Sequence, residues 1–296
     1  EKGGRDRPER VTVRPGEGTP AGGQPTAIRL GPLDMGETFT YTLSVDGEEL
    51  SFPYPLEFKT TDQWEWRRAP SDFSFVTGSC AYINDPPYDR PGEPYGKGTQ
   101  IFRHMARSGA DFMLWLGDNF YLRESDFSSV TGLWYRFHHD RATPDLQPLL
   151  AAMPHYATWD DHEFGSNNAN KSFEFKDVVL DAFHRYWANP SGGQPGNPGV
   201  YTKFLWQDAA FILMDNRYYR DDPALDEVEY PEKTQYGREQ VDWLKQTLLH
   251  LSDFDDYDGN PLYPVKFIVT GGQFLAGAGA SDDSHSNYVN EQREIL

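Results

Sequence analysis

Five short apolar runs in this chain each end in residues able to do chemistry. Phe75-Val76-Thr77 leads into Gly78-Ser79-Cys80, and Leu114-Trp115-Leu116 into Gly117-Asp118-Asn119-Phe120-Tyr121. Tyr156-Ala157-Thr158-Trp159 leads into Asp160-Asp161-His162-Glu163. Phe211-Ile212-Leu213-Met214 leads into Asp215-Asn216-Arg217, and Phe267-Ile268-Val269-Thr270 into Gly271-Gly272-Gln273. Ligands of open α/β sheets bind beyond the carboxyl ends of the strands. A thiol, carboxylates, a phenol, an imidazole and an amide at such ends therefore describe one polar pocket.

The chemistry this set suggests is metal-assisted attack on a phosphate. Asp118, at the tip of a buried strand, is the candidate to bridge two cations, which in two-metal sites lie roughly 3.5–4 Å apart. Tyr121 offers a phenolate three residues on, and Cys80 a thiolate. Together they suit a strongly Lewis-acidic ion such as Fe3+. Asp161 suits a second, harder ion such as Ca2+, which takes oxygen ligands. His162 then stands where it can contact the phosphate or protonate the leaving oxygen.

Each piece also has a plainer reading. Cys80 alone reads as a small buried hydrophobe. Gly117-Asp118 is a common turn and Tyr121 an ordinary packing residue. Asp160-Asp161-His162-Glu163 can be an acidic helix start. Asp215 and Arg217 read as an ion pair bracing a strand end, and His138 and His139 as solvent-facing or packing residues. Order and spacing together, rather than any one residue, favour the metal site.

The elements that must position these residues follow a strand, loop, helix grammar. Strands are expected over 73–77, 111–116, 155–159, 210–214 and 266–270. Helical patterns lie over 100–107, 129–138, 176–187 and 238–251, with Val241, Leu244, Leu248 and Leu251 at helical spacing in the last. This alternation predicts an α/β domain over 73–296. Ahead of it, 1–26 reads as an irregular lead-in and 62–72 as a linker. Phe39, Tyr41, Leu43 and Val45 alternate with polar residues before the turn signal Asp46-Gly47. The segment 27–61 therefore reads as part of a small β-sandwich.

Composition narrows the partners. With 27 Lys and Arg against 46 Asp and Glu, the formal charge is −19. That argues against non-specific nucleic-acid binding, which needs cations to displace phosphate counterions. An anionic substrate remains possible where metal ions invert the local field. The single cysteine excludes an internal disulfide. No apolar run approaches the roughly 18 residues of a membrane span, and no export signal stands at the start of the chain.

The ordered set resembles the alkaline phosphatase D family of calcineurin-like metallophosphoesterases. It is carried by G-S-C at 78–80, G-D-N-F-Y at 117–121, W-D-D-H-E at 159–163 with Asn167-Asn168 after it, and L-M-D-N-R-Y-Y-R at 213–220. The resemblance implies a four-layer α/β/β/α fold preceded by a fibronectin-like β domain. It also implies a ferric ion with calcium, and hydrolysis of phosphate monoesters or diesters outside the cytoplasm. By position, Cys80, Asp118 and Tyr121 would bind iron, with Asp118 bridging, Asp161 would bind calcium, and Arg123 would contact the phosphate. A Gly-Asp-x-His type motif closes the site in the family and is absent before Leu296, so the expectation is a chain whose last metal ligands lie in a further segment or a separate chain. Two competing readings stand beside this one. The first is a non-catalytic extracellular protein binding calcium or glycans, and the second a nuclease or phospholipase on the same scaffold.

Overall fold

The structure, a computed structural model, describes residues 25, 27–276 and 283–296. The expected lead-in over 1–26 lies almost wholly outside them. The first described elements are β1 (Thr38–Thr40), β2 (Ser44–Val45), β3 (Glu48–Glu49) and β4 (Glu57–Lys59). β2 and β3 form a hairpin, and β1 pairs antiparallel with β4. Asp46 and Gly47 both adopt positive φ, at 53° and 90°. A two-residue turn needs that handedness to match strand twist, which is why Asp-Gly marks it.

The remaining chain alternates strands and helices. In order come β5 (Phe75–Gly78), α1 (Gln100–Ala106), β6 (Phe112–Leu116), α2 (Val130–Arg141), α3 (Gln147–Ala152), β7 (His155–Thr158), α4 (Asp161–Phe164) and α5 (Lys176–Tyr186). β8 (Thr202–Trp206), β9 (Ala209–Leu213), α6 (Arg238–Ser252), β10 (Val265–Val269), a 3-10 turn at His285–Asn287 and α7 (Val289–Ile295) complete it. β5, β6 and β7 make one parallel sheet, and β10, β9 and β8 a second, with β9–β10 parallel and β8–β9 antiparallel.

Period-2 alternation decides how the two sheets pack. Phe112 and Leu114 of β6 meet Phe211 and Leu213 of β9 in one apolar layer. The Phe112 and Phe211 rings sit 5.3 Å apart at 84°, and those of Phe75 and Phe211 5.4 Å apart at 85°. Such edge-to-face pairs add to the burial term. The intervening residues Met113 and Trp115 face α2, α3 and α5 through Leu133, Leu149 and Phe183. Ala210 and Ile212 face α6 through Val241 and Leu244. β6 and β9 thus bury both faces, and truncating a fully buried ring such as Phe112 to Ala would cost about 3–5 kcal/mol. The outcome is a mixed α/β fold with its strand ends gathered. Thr158 Oγ1 at the end of β7 donates to the carbonyl of Met214 after β9, at 2.6 Å, and locks the two sheets together there.

β8 and α3 are additions to the sequence expectation. β8 ends in no reactive residue and α3 is a six-residue helix carrying a proline, so neither gave a strong local signal. No described helix is long and apolar enough to cross a membrane.

Candidate metal centre

The loop after β6 turns sharply at Gly117, where φ is +91°. A Cβ there would lie 2.9 Å from the Asp160 backbone nitrogen, so only glycine lets this loop approach the end of β7. Asp118 and Cys80 follow their strands at φ +50° and +55°, a left-handed backbone that costs a non-glycine residue about 1 kcal/mol. Two hydrogen bonds hold them side by side: Ala81 N donates to Asp118 O at 2.8 Å and Cys80 N to Gly117 O at 3.4 Å.

The side chains then converge. Tyr121 Oη donates to Asp118 Oδ2 at 2.9 Å, and Cys80 Sγ lies 3.7 Å from the same oxygen. His162 N donates to Asp118 Oδ1 at 3.4 Å. Asp118, Asp161 and His162 bring ligand atoms within 4.8 Å of one another. Burial, with Asp160 and Asp161 adding like charge, pushes the Asp118 carboxyl up to about 6. Burial and the neighbouring Asp118 push the Tyr121 phenol well above its ordinary range. Both shifts come first from burial and then from neighbouring negative charge, and a bound cation acts in the opposite direction. A thiol and a phenol sharing one carboxylate oxygen, with a second buried carboxylate beside it, fit a pair of metal ions by donor chemistry.

The sequence-predicted residues Cys80, Asp118, Tyr121, Asp161 and His162 are therefore brought together. Arg123 lies next to them but is largely engaged in the fold. Its Nε donates to Asp89 Oδ1 at 3.0 Å, one Nη to Ile83 O at 2.6 Å and the other to Tyr121 O, with the guanidinium stacked 4.1 Å from the Tyr82 ring. Gln273 is exposed, and its carbonyl accepts from His285 N at 2.8 Å.

The expected Asp215–Arg217 ion pair is corrected. Asp215 Oδ1 accepts from Trp159 Nε1 at 2.7 Å and from the backbone of Arg217 and Tyr218, while Oδ2 accepts from Val200 N. The Arg217 guanidinium instead lies fully buried against Asp160, with Asp283 at 2.7 Å and Asp161 at 3.8 Å. Asp160 occupies the start of α4, as an acidic helix opening would, but its side chain caps nothing and serves Arg217 and Asn216.

Two supporting residues escaped the sequence reading. Glu163, fully buried, accepts from Asn119 N at 3.1 Å and Asn119 Nδ2 at 2.8 Å, and so fixes the loop that carries Asp118. Asp283, far along the chain, reaches Arg217 and Arg220. Glu163 was visible as the last letter of W-D-D-H-E, whereas Asp283 carried no local signal.

Three similarities bear on this geometry. The family model for PhoD-like phosphatases matches residues 75–253, more than half of the chain and the stretch that holds every residue of the centre. Alkaline phosphatase D of Bacillus subtilis (strain 168) is 30% identical over 184 residues, covering 50% of this chain and 32% of that protein. A solved structure titled "Structure of PhoD" superposes with a TM-score of 0.66 at 21% identity, over 88% of this chain and 53% of the other. This chain thus spans about a third of the curated relative and about half of the solved one. With the matched segment carrying the strand-end carboxylates, thiol and phenol in order, the chain belongs to the PhoD-like phosphatase family.

Proposed function

We propose that this protein hydrolyses phosphate esters at a two-metal centre, with Cys80, Tyr121 and Asp118 holding Fe3+ and Asp118 with Asp161 holding Ca2+. The observation that carries the reading is the convergence of Cys80, Tyr121 and His162 on one buried carboxylate, Asp118, with Asp161 beside it. Bound cations there supply Lewis acidity and a water of lowered pKa. His162, its ring centre 4.3 Å from that of Tyr121 and tilted by 32°, orients the phosphate and passes a proton to the leaving oxygen. Arg123 acts chiefly by fixing the Tyr121 backbone, and it lines the cavity beside Tyr121 and His162, from which it contacts the phosphate in this reading. Monoesters and diesters are both within this chemistry.

The facing sheets and their outer helices support a four-layer α/β/β/α metallophosphoesterase sandwich over 73–296. The β1–β4 and β2–β3 pairs support part of a fibronectin-like sandwich over 27–61, joined by 62–72. We place the protein outside the cytoplasm, as a secreted, periplasmic or cell-surface enzyme.

The test is metal analysis and visible spectroscopy of the metal-loaded full-length protein, with hydrolysis of an aryl phosphate ester. The expected result is iron with a phenolate charge-transfer band that Tyr121→Phe abolishes. Asp118→Asn should reduce turnover by at least about 100-fold, since a bridging carboxylate keeps two ions in register. Iron-free protein with calcium alone and no turnover would refute the reading and favour a calcium-binding surface protein.

A further inference from the structure

Beside the metal centre lies a cavity of about 350 Å³ whose walls are mostly aromatic. That volume is at the small end of the ~300–1,000 Å³ typical of small-molecule sites and suits one organic group. Its floor is Tyr121 and His162, the residues at the candidate metals. One wall is Tyr82, whose ring is fixed at both ends: its hydroxyl donates to Asp89 Oδ1 at 2.8 Å, and the Arg123 guanidinium covers one face at 4.1 Å. Tyr95 continues that wall, its ring 5.2 Å from Tyr82 and tilted by 52°. Tyr88 and Phe127 also line the cavity. Tyr88 and Tyr95 leave 46% and 60% of their surface exposed, although large apolar rings ordinarily turn inward.

The polar lining separates candidate occupants. A polyol needs converging acceptors to pair its hydroxyls, since an unpaired buried hydroxyl is costly. The carboxylate that lines the cavity, Glu124, is held at Oε1 by Arg90, whose Nε donates to it at 2.7 Å, and Asn167 contributes the one amide. Flat rings with few free acceptors match a flat, weakly polar face. Resting on the phosphoesterase reading, we propose that this cavity is the leaving-group subsite and selects esters of planar aromatic groups, aryl or nucleobase-bearing, which stack on Tyr95 and Tyr88 while the phosphate reaches the metals.

The experiment compares the metal-loaded full-length protein with its Tyr88→Ala/Tyr95→Ala double variant, neither residue touching the metal centre. Phenyl phosphate and a nucleoside 5′-phosphate should lose about tenfold in kcat/KM, mainly through KM, while ethyl phosphate stays unchanged. Equal losses on all three esters, or no loss on either aromatic ester, would overturn the proposal. A binding arm keeps this result separate from the hydrolase reading. Phenylphosphonate should bind wild type about tenfold more tightly than methylphosphonate, and the double variant should erase that preference. Equal affinities in wild type overturn the subsite. A preserved preference in a protein that hydrolyses no ester would leave the subsite standing and remove the hydrolase reading alone.

Discussion

Arg217→Met tests how the acidic centre is held together. Arg217 is fully buried, and its guanidinium serves Asp160 through two nitrogens and Asp283 at 2.7 Å. Asp160, Asp161 and Asp283 bring oxygens within 4.8 Å of one another. Burial already raises the Asp160 carboxyl above its ordinary range, with Arg217 opposing. Methionine matches the length of the arginine stem but removes the only cation among the described residues in contact with Asp160. Breaking one side of a buried pair costs about 3–5 kcal/mol, because the remaining charge stays desolvated. At roughly 2–4 °C per kcal/mol for a large domain, the melting temperature in chelator should fall by about 6–20 °C. In the variant Asp160 has lost its cation while Asp283 keeps Arg220, and carboxylates at such spacing also make a cation site, so millimolar calcium should restore part of the loss in the variant and more than it adds to wild type. Thermal unfolding of both proteins, with and without calcium, provides the measurement. A variant within about 1 kcal/mol of wild type in chelator, indifferent to calcium, would refute the idea that Arg217 stands as an internal counter-ion.

Two further outcomes are expected. His155 accepts from Trp115 Nε1 at Nδ1 (2.9 Å) and donates from Nε2 to Leu149 O (3.0 Å), so a second proton would face the indole N–H. Burial lowers the imidazole from 6.5 to about 4. The unfolded chain therefore binds the proton first, stability is full above pH ~6.5, and up to ~3 kcal/mol is lost as pH falls towards 4. Urea unfolding at pH 7 and 4.5 should show a shallower loss in His155→Gln, and parallel losses in both proteins would refute it. Gly117→Ala should weaken metal binding by at least about tenfold, because a Cβ 2.9 Å from the Asp160 nitrogen pushes the loop carrying Asp118 outward. Titration calorimetry with unchanged affinity would remove the packing argument.

The parts of this molecule legible in its sequence were those written in local pattern. β5, β6, β7, β9 and β10 were readable as apolar runs of strand length, and α5 and α6 as helical spacing, because burial of one face imposes period. The centre was legible for a related reason: loops at strand ends are short, so Cys80, Asp118, Tyr121, Asp161 and His162 stay close to the runs that carry them. What escaped depended on partners distant in the chain. Arg217 chose Asp160 and Asp283, 57 and 66 residues away, over its neighbour Asp215, whose oxygens were already filled by backbone donors. Tyr82, Tyr88 and Tyr95 sit in an aperiodic loop, where nothing local distinguishes a wall of a cavity from a surface residue.

A chain of net charge −19 that gathers carboxylates at its strand ends must offset their repulsion before any metal arrives. The structure does so with buried arginines on both flanks of the centre. On one side Arg217 and Arg220 meet Asp160 and Asp283. On the other, Arg136 meets Asp126 at 2.8 Å and both Asp85 and Asp140 at 3.2 Å, and Asp126 in turn accepts from Arg123 N. Arginine suits this place because it stays charged when buried and forks between two acceptors. Asp118 is treated differently. Its partners are a phenol, a thiol and a backbone N–H, none of them a permanent cation. Asp160, Asp283, Asp126, Asp85 and Asp140 thus meet arginines within the protein, whereas Asp118, at the focus of the pocket, meets none among the described residues, which is the arrangement a cation site requires.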